Sequence, residues 1–131
     1  KFIKMKNENI TVFYKWQAKP GKIKELTEMY DQVCTDMQTN EPGALIMQYY
    51  VDESASELLI HDLFADASAL GFHLGVTAAA HFPALLEIAT PGPFYFLGDV
   101  PEEMKQAALN MGLQAQFSQR IDGFEKTVEA V

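Results

Sequence analysis

Apolar and polar positions divide the chain into alternating strand-like and helix-like runs. Residues 10–18 alternate imperfectly and are rich in β-branched and aromatic side chains, which predicts a strand. Lys19-Pro20-Gly21 ends it, since proline fixes φ and glycine frees it. Residues 22–39 then place Ile23, Leu26, Tyr30, Val33, Cys34 and Met37 on one helical face. Lys24, Glu25, Glu28, Asp31, Gln32 and Asp36 occupy the other, so this helix covers a sheet on one side and meets water on the other. Glu41-Pro42-Gly43 stops it and opens a second strand, 44–51. The polar turn 52–56 leads to a third strand, 58–64, and the pair reads as a hairpin.

Asp66 is placed to cap a helix starting at Ala67, because its carboxylate accepts from free backbone N–H groups. Helical character runs to Leu74 and resumes near Ala78, with a break or kink expected from Gly75 and Pro83. Pro91-Gly92-Pro93 closes that region ahead of an aromatic fourth strand, 94–98. Pro101 suits the first position of a short helix whose positive end Glu102 and Glu103 favour. That helix ends near Gly112, a last strand falls within 114–120, and Asp122-Gly123 makes a turn.

Through residue 98 the order is β-α-β-β-α-β, the ferredoxin-like α+β arrangement, an antiparallel sheet with both helices on one face. Strand alternation sends Leu58, Ile60, Asp62 and Phe64 to one face and Leu59, His61 and Leu63 to the other. In the second strand Leu45, Met47, Tyr49 and Val51 oppose Ile46, Gln48 and Tyr50. Neither face is polar enough to meet water alone. A second copy of the sheet, related by a two-fold axis, is the simplest cover, giving a homodimeric α+β barrel. A ligand pocket is then expected under the helices of each subunit.

The 131 residues make one domain, 1–131, with a core at about 10–98 and a C-terminal extension at about 101–131. A net charge of −8 and the lack of a basic run argue against nucleic-acid or anionic-membrane partners. Cys34 is the single cysteine, so no internal disulfide forms, which fits a cytoplasmic location. The lysine-rich start, residues 1–9, lacks the apolar middle of a secretory signal, and no apolar stretch is expected to span a bilayer. No phosphate-binding glycine loop, zinc spacing or nucleophile elbow occurs.

Several motifs together resemble the antibiotic biosynthesis monooxygenase family of dimeric α+β barrels. They are Lys19-Pro20-Gly21 and Glu41-Pro42-Gly43 around the first helix, then Asp62-Leu63-Phe64-Ala65-Asp66, Ala69-Leu70, His73 and His81-Phe82. The sequence departs from the family pattern at Phe64, where many members carry Trp. The resemblance implies oxidation of phenolic, anthrone-like or quinol substrates by dioxygen without flavin or metal. It also includes haem-degrading relatives.

Against that background His73 is the leading catalytic residue. It shares a helical face with Ala69, Leu70 and Leu74, and an imidazole there can take a phenol proton near neutral pH. Its plain alternative is a buried histidine bonded to backbone. Asp62 is the second, expected to face the same space and orient the His73 ring. Its alternative is an edge carboxylate reaching water or capping a backbone N–H. His61 points the other way, to the barrel seam. His81 is expected at the pocket mouth, or as an axial ligand if haem binds, or capping the turn before Pro83.

Phe64, Trp16, Tyr14, His81 and Phe82 are the expected substrate-binding residues, with Tyr49, Tyr50, Phe72, Phe94 and Phe96 as further aromatics. The same aromatics would serve an ordinary core. The reading is a cofactor-independent monooxygenase acting as a homodimer on a small aromatic ligand. The alternatives are a haem-binding or haem-degrading protein and a non-catalytic small-molecule-binding dimer.

Overall fold

A computed structural model describes residues 7–126, so part of the lysine-rich start and the end of the C-terminal extension lie outside the described residues. Strand β1 (Ile10–Ala18) is followed by α1 (Ile23–Asn40), β2 (Ala44–Asp52) and β3 (Glu57–Phe64). Helix α2 (Ala67–Phe72), a π-helical turn (His73–Ala78) and α3 (Ala79–Ile88) run on without a gap. Strand β4 (Ala89–Leu97), α4 (Glu102–Asn110) and β5 (Ala115–Ser118) complete the described chain. The sheet order β2-β3-β1-β4-β5 contains the ferredoxin-like four-strand core, with β5 added outside β4.

The core forms where the alternation placed it. Every second residue of β3, from Leu58 to Phe64, is buried under the helices. The α1 face carrying Leu26, Tyr30, Val33 and Met37 packs onto it. Asp66 caps α2 as expected, its Oδ1 accepting from the Ala69 N–H at 2.9 Å.

Four features differ from the sequence expectation. The sheet is mixed rather than antiparallel, because β5 pairs parallel to β4. The cause is α4, which carries the chain back along the sheet and returns it in the same direction. Strand β4 begins at Ala89, so Pro91-Gly92-Pro93 lies within it instead of ending the preceding region. Beside those prolines β4 pairs only with β1, since β5 starts opposite Phe94, and an outer edge loses no hydrogen bond to a missing N–H.

The expected helix break at Gly75 and Pro83 is a change of winding instead. Pro83 has no N–H for the Ala79 carbonyl and crowds it, and the wider π turn lies directly upstream. The run Ala67–Ile88 is thereby a continuous 22-residue helix, long and apolar enough to cross a membrane by length and composition. Here it lies on the sheet with Leu70, His73, Leu74, Thr77, Leu85 and Ile88 buried, while Phe72, Val76 and Leu86 on its outer side are exposed.

The other sheet face carries no helix. Phe13 and Tyr95 are cross-strand partners there, each 40% exposed, with Leu97 and Tyr50 also exposed. His61 lies opposite Phe13 on this face, away from Asp62.

Candidate functional site

Between the sheet and the helices lies a small cavity of about 40 Å³. Asp62 and His73 both line it, from β3 and from the start of the π turn. Tyr14, Trp16, Phe94 and Phe96 supply the sheet wall, and His81 and Phe82 the helix wall. Tyr30 reaches in from α1, and Met111 and Leu113 close the space from the segment after α4.

Five of the aromatics expected around a ligand therefore do surround the cavity. Tyr50 and Phe72 are exposed, and Tyr49 is bonded to Asp31 on α1. Phe64, expected in the wall, stands behind it: it is fully buried and its ring packs against His73 with centroids 5.1 Å apart.

The carboxylate that holds His73 is not Asp62, as the sequence suggested, but Glu41. His73 Nδ1 lies 2.9 Å from Glu41 Oε2, and the two side chains are 7% and 2% exposed. The reason is the packing of the loop after α1. The Ala65 N–H donates to the Gly43 carbonyl, and a Cβ on Gly43 would stand 2.5 Å from the Ala69 Cβ. Glycine lets this loop lie against α2, which brings Glu41 over the next turn. An ionised carboxylate only accepts, so the pairing puts a hydrogen on Nδ1 and leaves the Nε2 lone pair free to act as a base.

Asp62 belongs to a second network. The Trp16 Nε1–H donates to the Tyr30 oxygen at 2.7 Å, and the Tyr30 hydroxyl donates to Tyr14 at 3.1 Å. Tyr14 lines the same cavity as Asp62 and favours its ionised form. Burial still dominates: it pushes the Asp62 carboxyl up to about 7, with nearby Glu41 adding to the rise and His73 and Tyr14 opposing it. Burial likewise raises both tyrosine hydroxyls, so they remain protonated donors. Asp62 is 1% exposed, and its Oδ1 has no hydrogen-bond partner among the described residues.

His81 sits on the cavity wall with Nε2 2.6 Å from Asp36 Oδ2, tying α3 to α1. It therefore bonds across to another helix rather than capping a turn. Sequence reading missed Glu41, taken as a helix stop, and the hydroxyl of Tyr30, taken as a core face. One signal for Glu41 was available. An acidic residue at the C-terminal cap of a helix with no basic residue in its last turn opposes the helix dipole.

The fold is that of the antibiotic biosynthesis monooxygenases, with five strands and the helices on one sheet face. Among solved structures, MupZ from Pseudomonas fluorescens matches 95% of this chain and 94% of its own, at TM-score 0.74 and 19% identity. A protein of Caulobacter crescentus CB15, provisionally assigned to the antibiotic biosynthesis monooxygenases, matches 72% of this chain and 92% of its own, at TM-score 0.64 and 22% identity. SnoaB of Streptomyces nogalater, a cofactor-independent oxygenase, matches 68% of this chain and 90% of its own, at TM-score 0.59 and 13% identity. No family model matches the sequence, and no curated protein matches it. At these identities the likeness establishes the fold. In MupZ it extends into the C-terminal extension, since 95% of the chain is matched, whereas the other two match about 70% of the chain.

Proposed function

We propose that the protein is a cofactor-independent monooxygenase of small phenolic or quinol-like aromatics, with His73 as general base and Asp62 as its acid partner. The observation that carries this reading is the buried Asp62 carboxyl, one oxygen without a partner among the described residues, lining one small cavity with His73. A buried carboxyl of this kind is costly to the fold, and such groups cluster at functional sites. His73 Nε2 takes a proton from the substrate. The resulting anion is electron-rich enough to react with dioxygen directly. For an anthrone-like ring CH₂, one oxygen atom ends as the new carbonyl and the other leaves as water, with all four electrons drawn from the substrate. Asp62, near half-protonated at neutral pH, donates from its free oxygen to the oxygen-centred anion that forms.

Size constrains the binding step. An apolar cavity that holds benzene measures about 150 Å³, against about 40 Å³ here. Dioxygen fits the space as it stands, while an aromatic ring enters only if the π turn and α3 move outward. The His81–Asp36 tie holds that wall. Haem, the alternative ligand, needs still more room, and His81 Nε2 is already engaged with Asp36. The helix-free sheet face supports the homodimer reading, because its exposed apolar row has no cover among the described residues.

Oxygen uptake over a panel of hydroquinones, naphthohydroquinones and anthrones tests the activity. The wild type is expected to consume oxygen with at least one of them. His73→Ala is expected to lower the rate by about 10² or more, with circular dichroism unchanged. No uptake by the wild type, or full uptake by the variant, removes the proposed role.

A further inference from the structure

We propose that Glu41 is the proton conduit of this site, carrying protons between His73 and a separate surface pocket on the other side of the pair. This rests on the reading of His73 as the base. The geometry has four parts. His73 lines the inner cavity, and its Nδ1 is bonded to Glu41 Oε2. Glu41 in turn lines a second pocket of about 270 Å³, formed with Pro42, Gly43, Asp66, Ser68 and Phe72 between the end of α1 and the start of α2. The two spaces have no lining residue in common, and the His73–Glu41 hydrogen bond joins a residue of one lining to a residue of the other. Finally, the other carboxylate oxygen, Oε1, is buried and unpartnered among the described residues, although Glu41 is only 5% exposed.

A carboxylate used only to orient the ring needs one accepting oxygen. Leaving the second one buried without a donor is a cost that orientation does not explain. Passing a proton does explain it. When Nε2 accepts the substrate proton, the imidazolium releases its Nδ1 hydrogen to Oε2. Rotation of the carboxyl group then turns that hydrogen toward the outer pocket, where water takes it. His73 is left neutral with a hydrogen on Nε2, too weak an acid to return it to the substrate anion before dioxygen adds. A proton coming back by the same path to Nδ1 lets the Nε2 hydrogen replace the one that Asp62 gives to the peroxide. No net proton is consumed, which matches the balance of the oxygenation.

The test does not need turnover. In protein carrying ¹⁵N-histidine, transfer of saturation from water to the His73 ring N–H measures how fast that proton exchanges. Glu41→Gln keeps an acceptor for Nδ1 but carries no proton onward, and exchange is expected to slow by about tenfold or more. Ser68→Phe leaves Glu41 intact and fills the outer pocket from an exposed position, and the same slowing is expected. Unchanged exchange in either variant overturns the conduit. Ser68→Phe decides the matter alone if Glu41→Gln does not fold, judged by the Tyr14 and Trp16 resonances. The two proposals fail separately: loss of the conduit leaves oxygen uptake dependent on His73, and absence of oxygen uptake leaves the exchange rates to be read as they stand.

Discussion

Replacing Asp62 with Asn tests the electrostatics of the cavity while keeping its shape. The Asp62 carboxyl titrates at about 7 in the folded chain and at 3.8 in an unconstrained one. The folded state therefore holds the proton more tightly. The stability gained from that proton is complete below about pH 3.8 and is lost as the pH rises through 7. With the two values about 3 pH units apart, and each unit worth about 1.4 kcal/mol, an ionised Asp62 costs about 4 kcal/mol above pH 7. Asn occupies nearly the same volume but never ionises. The stability difference, Asp62→Asn minus wild type, is expected to increase by about 2–3 kcal/mol between about pH 5 and about pH 8. Urea unfolding at both pH values reads it, with protein concentration fixed so that self-association does not enter the difference. A difference that stays constant across that interval refutes a raised Asp62 pKa, and with it the acid role.

Two further substitutions probe the frame of the site. Gly43→Ala puts a methyl group 2.5 Å from the Ala69 Cβ; it is expected to destabilise the fold by about 1–3 kcal/mol and to loosen the Glu41–His73 pair, seen as changed chemical shifts of the His73 ring nitrogens by NMR, and unchanged shifts would mean the loop does not set that pair. Phe13→Glu places a charge at the middle of the open sheet face, opposite Tyr95 and His61; sedimentation is expected to show a dimer for the wild type and a monomer for the variant, and an unaltered dimer would place the interface elsewhere.

Most of the fold was legible because it follows local periodicity. The two-residue alternation of β3 and the helical face of α1 each pointed to the side that is in fact buried. Those same patterns placed Asp62 and His73 on the inward faces, and both line one cavity. What was not legible depends on contacts far apart in the chain. The prolines of β4 are strand breakers in general, and only their place at an outer edge makes them acceptable. Met111 and Leu113 come from an extension whose periodicity says nothing about where it docks. Glu41 reaches His73 across 32 positions of sequence, through a loop whose closeness to α2 is set by Gly43.

The same contrast bears on why the site should be more than a polar flaw in the core. Leu58, Ile60 and Phe64 share the inward row of β3 with Asp62, and an apolar residue at that position would continue the row. Keeping a carboxylate there costs about 4 kcal/mol at neutral pH and above, a large fraction of a domain's typical 5–15 kcal/mol. Glu41 breaks a different local rule, a negative charge at the negative end of α1. Each departure alone has ordinary explanations, such as a chance acid offset by packing elsewhere. Their meeting is harder to explain that way. Two buried carboxylates from different parts of the chain each have one oxygen unpartnered among the described residues; one is bonded to His73 and the other lines the same cavity as His73. Sequences that fold well agree with themselves at every level except where function requires otherwise. Here the departures coincide in space without being neighbours in sequence, and proton transfer is the chemistry that needs all three groups together.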